Sequence, residues 1–128
     1  MTLQHLPRLG FDAKPWKNGL GTTYDILMIP PGAGHDDFDV RFALSPIVED
    51  GVFSSFPGID RVITLIDGDT LKLEFDISSA MLTTFDSMRF NSVLSPMGKP
   101  AMGGVQVVNV MARRGIWQIK DCRVAKAQ

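Results

Sequence analysis

Apolar and polar residues alternate with a period of two in the middle of the chain, which places every second side chain on one face of a β-strand. The alternation is clearest in FDVRFALS, where the apolar set is Phe38, Val40, Phe42 and Leu44, and in LKLEFDI, where it is Leu71, Leu73, Phe75 and Ile77. In the first segment Asp39, Arg41, Ala43 and Ser45 share the opposite face. Both segments are predicted to be half-buried antiparallel strands.

Between these two segments, RVITLI at residues 61–66 is β-branched and almost entirely apolar, as in a strand covered on both sides. It runs directly into Asp67, Gly68 and Asp69. Asp-Gly between two strand-like runs favours a type I′ hairpin turn, because glycine tolerates the positive φ that this turn requires. We therefore predict that residues 61–66 and 70–77 pair with each other.

Further strands are predicted at TTYDILMI, near MLTTFD, and at VQVVNVMARR. Stretches rich in Pro, Gly and Ser, such as PPGAG and SPMGKPAMGG, bound them as loops. No segment repeats apolar residues every three or four positions over ten or more residues. The pattern predicts one all-β domain over residues 1–128, an antiparallel barrel or sandwich with little helix.

The composition is that of an ordinary globular protein, with 128 residues, 45% hydrophobic and 21% charged residues, and a net charge of -1. This charge balance disfavours a nucleic-acid partner. No run approaches the roughly 20 apolar residues that span a bilayer, and the N-terminus lacks a secretory signal pattern. Cys122 is the single cysteine, so we expect no internal disulfide, no membrane association and a cytoplasmic location.

The residues that most often carry catalysis or bind metals are scarce. His5 and His35 are the two histidines, which cannot supply a three-histidine metal site, and nothing places either beside Cys122 as a catalytic pair. The acidic segment HDDFD, residues 35–39, lacks the ligand spacing of a calcium loop, so a solvated turn is favoured over a cation site. We expect no metal and no cofactor.

The segment PWKNGLGTT combines groups that suit a small anion with a hydrocarbon body. Trp16 offers a flat apolar surface, Lys17 a cation, and Asn18 both a donor and an acceptor, while Gly19 and Gly21 permit tight turns or close approach. A capping loop whose Trp closes one end of a barrel is an equally good interpretation. The residues alone leave both open.

Two arginines in strand-like runs need partners, because an unpaired guanidinium is costly to bury. Arg61 follows the corner FSSFPGID, in which Phe53 and Phe56 are expected in the core and Asp60 beside a neighbouring cation. In NVMARRG, alternation groups Arg113 with Asn109 and turns Arg114 the other way. The partner of each buried arginine is either an internal acid or a ligand carboxylate.

Taken in order, PWKNGLGTT, DVRFALSPIVEDGVFSSFPGIDRVITLIDGD and GGVQVVNVMARRG resemble the HutD/Ves family, whose members have a cupin-like β-barrel and are associated with histidine utilisation. The resemblance covers most of residues 15–115. It departs from the family pattern at Leu20, which interrupts a glycine run, and at Val40, Ala43 and Val107, which replace a Trp, a Ser and an acid. These changes bear on whether the ligand site is intact.

The resemblance implies a cupin-like (RmlC-like) fold without the histidine-rich metal motif of cupins. Typical relatives continue with further strands after the NVM segment, so we expect either a reduced second lobe or a homodimer that supplies the missing cover. The segment GIWQI would contribute Ile116, Trp117 and Ile119 to such a contact.

For function, the resemblance implies a regulatory protein that binds a small carboxylate-bearing intermediate of histidine breakdown, such as formylglutamate or urocanate, and has no catalytic activity. The expected ligand-binding residues are Trp16, Lys17, Asn18, Arg41, Ser54, Phe56, Asp60, Arg61, Asn109 and Arg113. Two alternatives remain: a metal-independent enzyme of amino-acid or sugar metabolism, and a degenerate relative with a structural or partner-binding role.

Overall fold

Antiparallel β-strands build the part of the protein that the computed structural model describes, which is residues 12–15, 21–34 and 36–120. The strands in these ranges are β1 (Asp12–Pro15), β2 (Thr22–Ile29), β3 (Val40–Ile47), β4 (Gly51–Val52), β5 (Ile59–Asp67), β6 (Thr70–Glu74), β7 (Ser79–Thr83), β8 (Ser87–Asn91), β9 (Met97–Pro100) and β10 (Val105–Arg113). No helix in these residues is long and apolar enough to cross a membrane.

The strands form two sheets. The larger has six strands in the order β1-β2-β3-β10-β5-β8, and the smaller has four in the order β4-β9-β6-β7. Leu71 and Leu73 of the smaller sheet pack against Ile63, Leu65 and residues of β10 in one apolar cluster, so the two sheets enclose a common core. The predicted all-β antiparallel architecture is confirmed.

The predicted hairpin between residues 61–66 and 70–77 is wrong. β5 pairs with β10 and β8 in the larger sheet, whereas β6 pairs with β7 and β9 in the smaller one. Gly68 has φ +105° and carries the chain from one sheet to the other. A Cβ atom there would lie 2.7 Å from Cγ1 of Val105 and 2.8 Å from the carbonyl oxygen of Gly104. Gly68 therefore lies where the chain passes from the larger sheet to the smaller one, and not in a hairpin turn between paired strands.

The strand predicted over residues 70–77 is also shorter than expected. β6 ends at Glu74, and the Phe75 N–H donates to the Ser78 carbonyl at 2.8 Å as the chain turns into β7. Ile77, which the alternation placed on the core face, lies at this turn and is 99% exposed. Leu71 and Leu73 are fully buried as predicted.

β3 is buried on both faces, so the prediction that it is half-buried is wrong. Its polar set, including Arg41 and Ser45, faces an internal cavity. Val40 and Phe42 on the other face line a groove with Trp117 and Ile119 of the segment that follows β10. The predicted two-fold association through Ile116, Trp117 and Ile119 stays a prediction.

The segment SPMGKPAMGG was expected to be a loop, yet it contains β9, which pairs with β4 on one side and β6 on the other. Gly98 lies inside this strand. The loop was predicted because glycine and proline, which are frequent in this segment, are depleted in strands. The Phe53 ring leaves no room for a side chain at Gly98, which accounts for glycine at that position.

Candidate ligand-binding site

A cavity of about 330 Å³ opens between the inner face of the six-stranded sheet and the segment 49–56. Its wall is formed by Lys14, Thr23, Arg41, Ser45, Ile47, Glu49, Gly51, Val52, Phe53, Ser54, Phe56, Arg61, Val107 and Asn109. Val52 is 56% exposed and Glu49 is exposed, so these two residues mark the side that faces solvent. The volume is at the lower end of the range of small-molecule pockets.

Arg61 is the most unusual group in this wall. The residue is 6% exposed, and its side-chain atoms Nε and Nη1 have no hydrogen-bond partner among the residues that the structure describes. In the larger sheet, Arg61 lies opposite Met111 of β10 on one side and Phe90 of β8 on the other. A buried guanidinium without hydrogen bonds carries a substantial desolvation cost.

Three aromatic rings surround this guanidinium and compensate part of that cost. Its Cζ atom lies 5.5 Å from the ring centroid of Phe53 and 5.7 Å from those of Phe56 and Phe90, distances at which cation–π attraction is significant. Burial, and secondarily the positive charge of Arg41, lowers the pKa of Arg61 to about 10. The group therefore remains a cation at neutral pH.

The second arginine of the wall, Arg41, has an internal carboxylate partner. Its Nε donates to Oδ1 of Asp25 at 2.7 Å, and both side chains are buried. Nζ of Lys14 lies 3.1 Å from the other carboxylate oxygen of Asp25. Arg41 on β3 and Arg61 on β5 lie opposite Met111, one on each side of β10. Asp25 neutralises Arg41, whereas Arg61 has no carboxylate partner among the described residues.

Neutral polar groups complete the wall. Asn109, on β10, is buried, and its Oδ1 has no hydrogen-bond partner within the described ranges. The hydroxyl groups of Thr23 and Ser45 lie 2.9 Å apart, and each can donate or accept. The cavity thus offers donors, an acceptor and an excess of cationic groups over acidic ones, beside the apolar side chains of Ile47, Val107 and the two phenylalanines.

Five of the predicted ligand-binding residues meet in this cavity, namely Arg41, Ser54, Phe56, Arg61 and Asn109. Trp16, Lys17 and Asn18 lie outside the described residues. Their neighbours do frame the cavity, because Lys14 of β1 and Thr23 of β2 are both in its wall. The role of these residues in binding stays a prediction.

The structure does not bring Asp60 and Arg113 to the cavity wall. Asp60 Oδ1 accepts a hydrogen bond from Nη2 of Arg114 at 2.8 Å, since successive residues of a strand point to opposite faces. Arg113 lies near the end of β10, where its Nε donates to Asp39 at 3.1 Å and its Nη2 donates to the carbonyl of Phe38 at 2.6 Å. Both arginines of the NVMARRG segment therefore pair with internal acids.

The sequence interpretation missed four polar or charged residues of the cavity wall, Lys14, Thr23, Ser45 and Glu49. It also missed Asp25, which pairs with Lys14 and Arg41 of the wall. Asp25 gave a usable signal, because it is the one acid in TTYDILMI and directly precedes the apolar run ILMI, and a charge in such a strand needs a partner. Thr23 and Ser45 gave none, since hydroxyl side chains are common on both faces of strands. Phe53 was expected in the core, but it is half-buried and lines the cavity.

Metal-ligating side chains do not cluster in the described part of the chain: no three of His, Cys, Asp and Glu lie close enough to hold an ion there. Within the segment HDDFD, Asp39 pairs with Arg113 and the Asp37 carboxylate accepts from the N–H of Gly34. These bonds fit the solvated turn better than a cation site. His35 itself lies outside the described residues.

The sequence profile of the HutD family matches residues 10–128. The chain belongs to the HutD family. Among curated relatives, an uncharacterised 21.2 kDa protein from the hutC 3′ region of Pseudomonas putida is 34% identical over 110 residues, which are 85% of this chain and 57% of that protein. The protein Ves of Escherichia fergusonii is 33% identical over 100 residues, covering 78% and 46% of the two chains. The HutD/Ves resemblance in the sequence is confirmed.

Solved HutD-like structures have the same fold. HutD from Pseudomonas fluorescens SBW25 aligns with a TM-score of 0.74 at 30% identity, over 83% of this chain and 58% of that one. A conserved protein of unknown function from Pseudomonas aeruginosa PAO1 aligns with a TM-score of 0.78 at 27% identity, over 85% and 56%. The predicted cupin-like fold is confirmed. The chain spans about half the length of the relatives that it matches.

Proposed function

We propose that this HutD-family chain binds a small carboxylate-bearing molecule in the cavity and acts as a non-catalytic binding protein of the HutD/Ves type. The observation that carries the proposal is Arg61, a buried cation in the cavity wall whose Nε and Nη1 have no partner among the described residues. A carboxylate would supply the acceptors and the negative charge that this guanidinium lacks. Arg41 is already satisfied by Asp25, so Arg61 is the primary anchor.

The rest of the wall favours an organic acid over a bare inorganic anion. Ile47, Phe53, Phe56 and Val107 present apolar surface that could cover a hydrocarbon body. Asn109, on the strand next to Arg61, has an amide oxygen without a partner among the described residues, and this oxygen could accept from a ligand N–H or O–H. Lys14 adds positive charge on the far side of the cavity.

The names of the relatives connect the family with histidine utilisation, and we extend this association to the present chain as a regulatory, ligand-sensing role. The Pseudomonas fluorescens HutD structure was solved in a formate condition, and formate is the smallest carboxylate. Formate, urocanate and formylglutamate are therefore the first probes. As a sensor, the chain is expected to bind such a probe without converting it.

Calorimetric titration of these three compounds into the purified protein tests the proposal. We expect saturable binding of at least one, abolished by Arg61→Met and retained by the matched surface variant Arg114→Met, because Arg114 is exposed and pairs with Asp60 outside the cavity. Equal binding by wild type and Arg61→Met would refute the role of Arg61. Conversion of a probe into product, followed by NMR, would show that the chain is an enzyme instead.

A further inference from the structure

Phe53 connects the cavity to the four-stranded sheet. Its ring lies in the cavity wall, and its Cε1 atom would be 2.6 Å from a Cβ atom built on Gly98 in β9. The next two neighbours of that Cβ atom are in the same ring, at 3.4 and 3.5 Å. Carbon atoms do not approach as closely as 2.6 Å without displacement, so the phenyl ring occupies the space that any side chain at Gly98 would need.

The same ring lies over the guanidinium of Arg61. Of the three aromatic rings around Arg61, Phe53 has the shortest distance from its centroid to Cζ, 5.5 Å. The backbone of Phe53 is held beside the start of β9, because its N–H donates at 2.9 Å to the carbonyl of Pro96, the residue that precedes this strand. Gly98, Phe53 and Arg61 therefore form a chain of direct contacts from the small sheet to the cavity.

We propose that Gly98 is a positioning residue for Arg61: its missing side chain lets Phe53 lie over the guanidinium and hold it in one orientation in the cavity wall. Phe56 and Phe90 contact the guanidinium as well, but Phe53 is the ring whose place depends on a glycine. Because Nε and Nη1 of Arg61 have no acceptor among the described residues, hydrogen bonds from these two atoms do not fix its orientation there. The effect on ligand affinity rests on the proposed function, whereas the effect on Arg61 does not.

Backbone conformation does not by itself require glycine at this position. Gly98 lies in a regular strand, paired with Gly51 and Leu73, and its φ is outside the left-handed region. Alanine can adopt such a conformation without strain. Gly98→Ala thus changes the contact with the Phe53 ring while leaving the backbone unstrained.

The test follows the Nε–Hε signal of Arg61 by ¹⁵N NMR, with the signal assigned through its loss in Arg61→Met. Aromatic rings shift the resonances of protons near them, so Gly98→Ala is expected to move the Arg61 signal, as is Phe53→Leu. In a Phe53→Leu background, Gly98→Ala should cause no further shift, because the ring that transmits the change is gone. The control Gly34→Ala, in an exposed loop with ordinary space around its Cβ position, should leave the signal in place.

Ligand titration of the same variants with formate adds a second measurement. Gly98→Ala should weaken binding about two- to tenfold, because ordering of the guanidinium is then deferred to the binding step. The same loss should occur in Phe53→Leu and should not increase in the double variant. If wild type binds no carboxylate while the NMR shifts follow this pattern, the positioning role stands and the proposed function fails.

An unchanged Arg61 signal in Gly98→Ala would overturn the proposal. So would a Gly98→Ala shift of equal size with and without the Phe53 ring, because that result would assign the effect to distortion of β9. If Gly98→Ala does not fold, the double variant with Phe53→Leu must restore the folded spectrum. Failure of that rescue also overturns the proposal.

Discussion

Asp60 and Arg61 are adjacent in the chain, yet they do not pair with each other. The Asp60 carboxylate accepts from Arg114 at 2.8 Å on one face of β5, while the Arg61 guanidinium lies among three phenylalanine rings on the other. The acid that the sequence offered as the internal partner of Arg61 is thereby occupied elsewhere. Among the described residues, Arg61 is thus a buried cation of the cavity wall without a carboxylate partner, and this is the basis of its proposed role in ligand binding.

Replacing Arg61 by methionine should cost no stability. Methionine keeps an unbranched side chain of similar length and removes a buried charge that has no carboxylate partner within the described residues. We expect the free energy of unfolding, measured with urea in the absence of ligand, to stay unchanged or to rise by up to ~3 kcal/mol. A fall of ~3 kcal/mol or more would show that an internal acid pairs with Arg61.

The contribution of Arg61 to stability should depend on pH only in the alkaline range. Burial lowers its pKa in the folded protein from the ordinary value of an arginine to about 10. Between these values the unfolded chain binds more protons than the folded protein, so the contribution of Arg61 to the free energy of unfolding rises with pH there. Below pH 10 both states are protonated and the burial penalty is at its full size.

Urea unfolding of wild type and Arg61→Met at pH 7, 8.5 and 10.5 measures this effect. The advantage of the methionine variant should be constant between pH 7 and 8.5 and smaller at pH 10.5. Comparison with the variant cancels most of the titration of tyrosine and lysine side chains, which occurs in the same range. A difference that widens at pH 10.5 would contradict the direction of the pKa shift.

Asp25→Asn should strongly destabilise the protein. The Asp25 carboxylate contacts both Arg41 and Lys14, and its pair with Arg41 is buried, so the change leaves two cations without their common counter-charge. We expect a loss of about 3 kcal/mol in the free energy of unfolding. Asp39→Asn is the matched control, since its pair with Arg113 is about one-third exposed, and the expected loss is ~1 kcal/mol or less. Equal losses would show that burial does not govern these pairs.

Gly68→Ala should be among the most damaging single substitutions in the described part of the chain. Gly68 combines φ +105° with backbone atoms of Gly104 and Val105 closer than 3 Å to the position of the added methyl group. Gly103 has a similar φ of +93° but nothing within 4 Å of that position, so Gly103→Ala isolates the conformational cost of about 1–2 kcal/mol. Thermal unfolding should show a clearly larger loss for Gly68→Ala. A similar loss of stability in both variants would show that steric crowding around Gly68 adds nothing to the conformational cost.

The strands were predictable where the signal is local. Alternation and apolar runs located β2, β3, β5 and β10 closely, because both patterns reflect which side chains of a strand are buried, on one face or on both. Pairing was not predictable from the same signal. Asp67-Gly68 has the turn chemistry of a hairpin, but its two flanking strands pair elsewhere, and the choice depends on distant strands that bury the same faces.

In the candidate site, too, some features were predictable from the local sequence and others were not. Arg61 was recognisable because a charge within an apolar strand needs a partner, which is a property of the segment itself. The pairing of each arginine with its acid was not predictable, because the partners lie on different strands or far apart in the chain. Asp25 pairs with Arg41 from the neighbouring strand, and Asp39 pairs with Arg113 from a distant part of the chain. Once those pairs form, Arg61 is the arginine left to face the cavity without an acid among the described residues.

The position of β10 in the larger sheet constrains the order in which the protein can be assembled. Val105–Arg113 is the last strand of the described chain, and it lies between β3 and β5. Until those nine residues have left the ribosome, the open edges of β3 and β5 have no strand between them and the cavity wall lacks Val107 and Asn109. Nascent chains that pause before residue 105 therefore expose two unpaired strand edges, each of which can pair with another chain and promote aggregation.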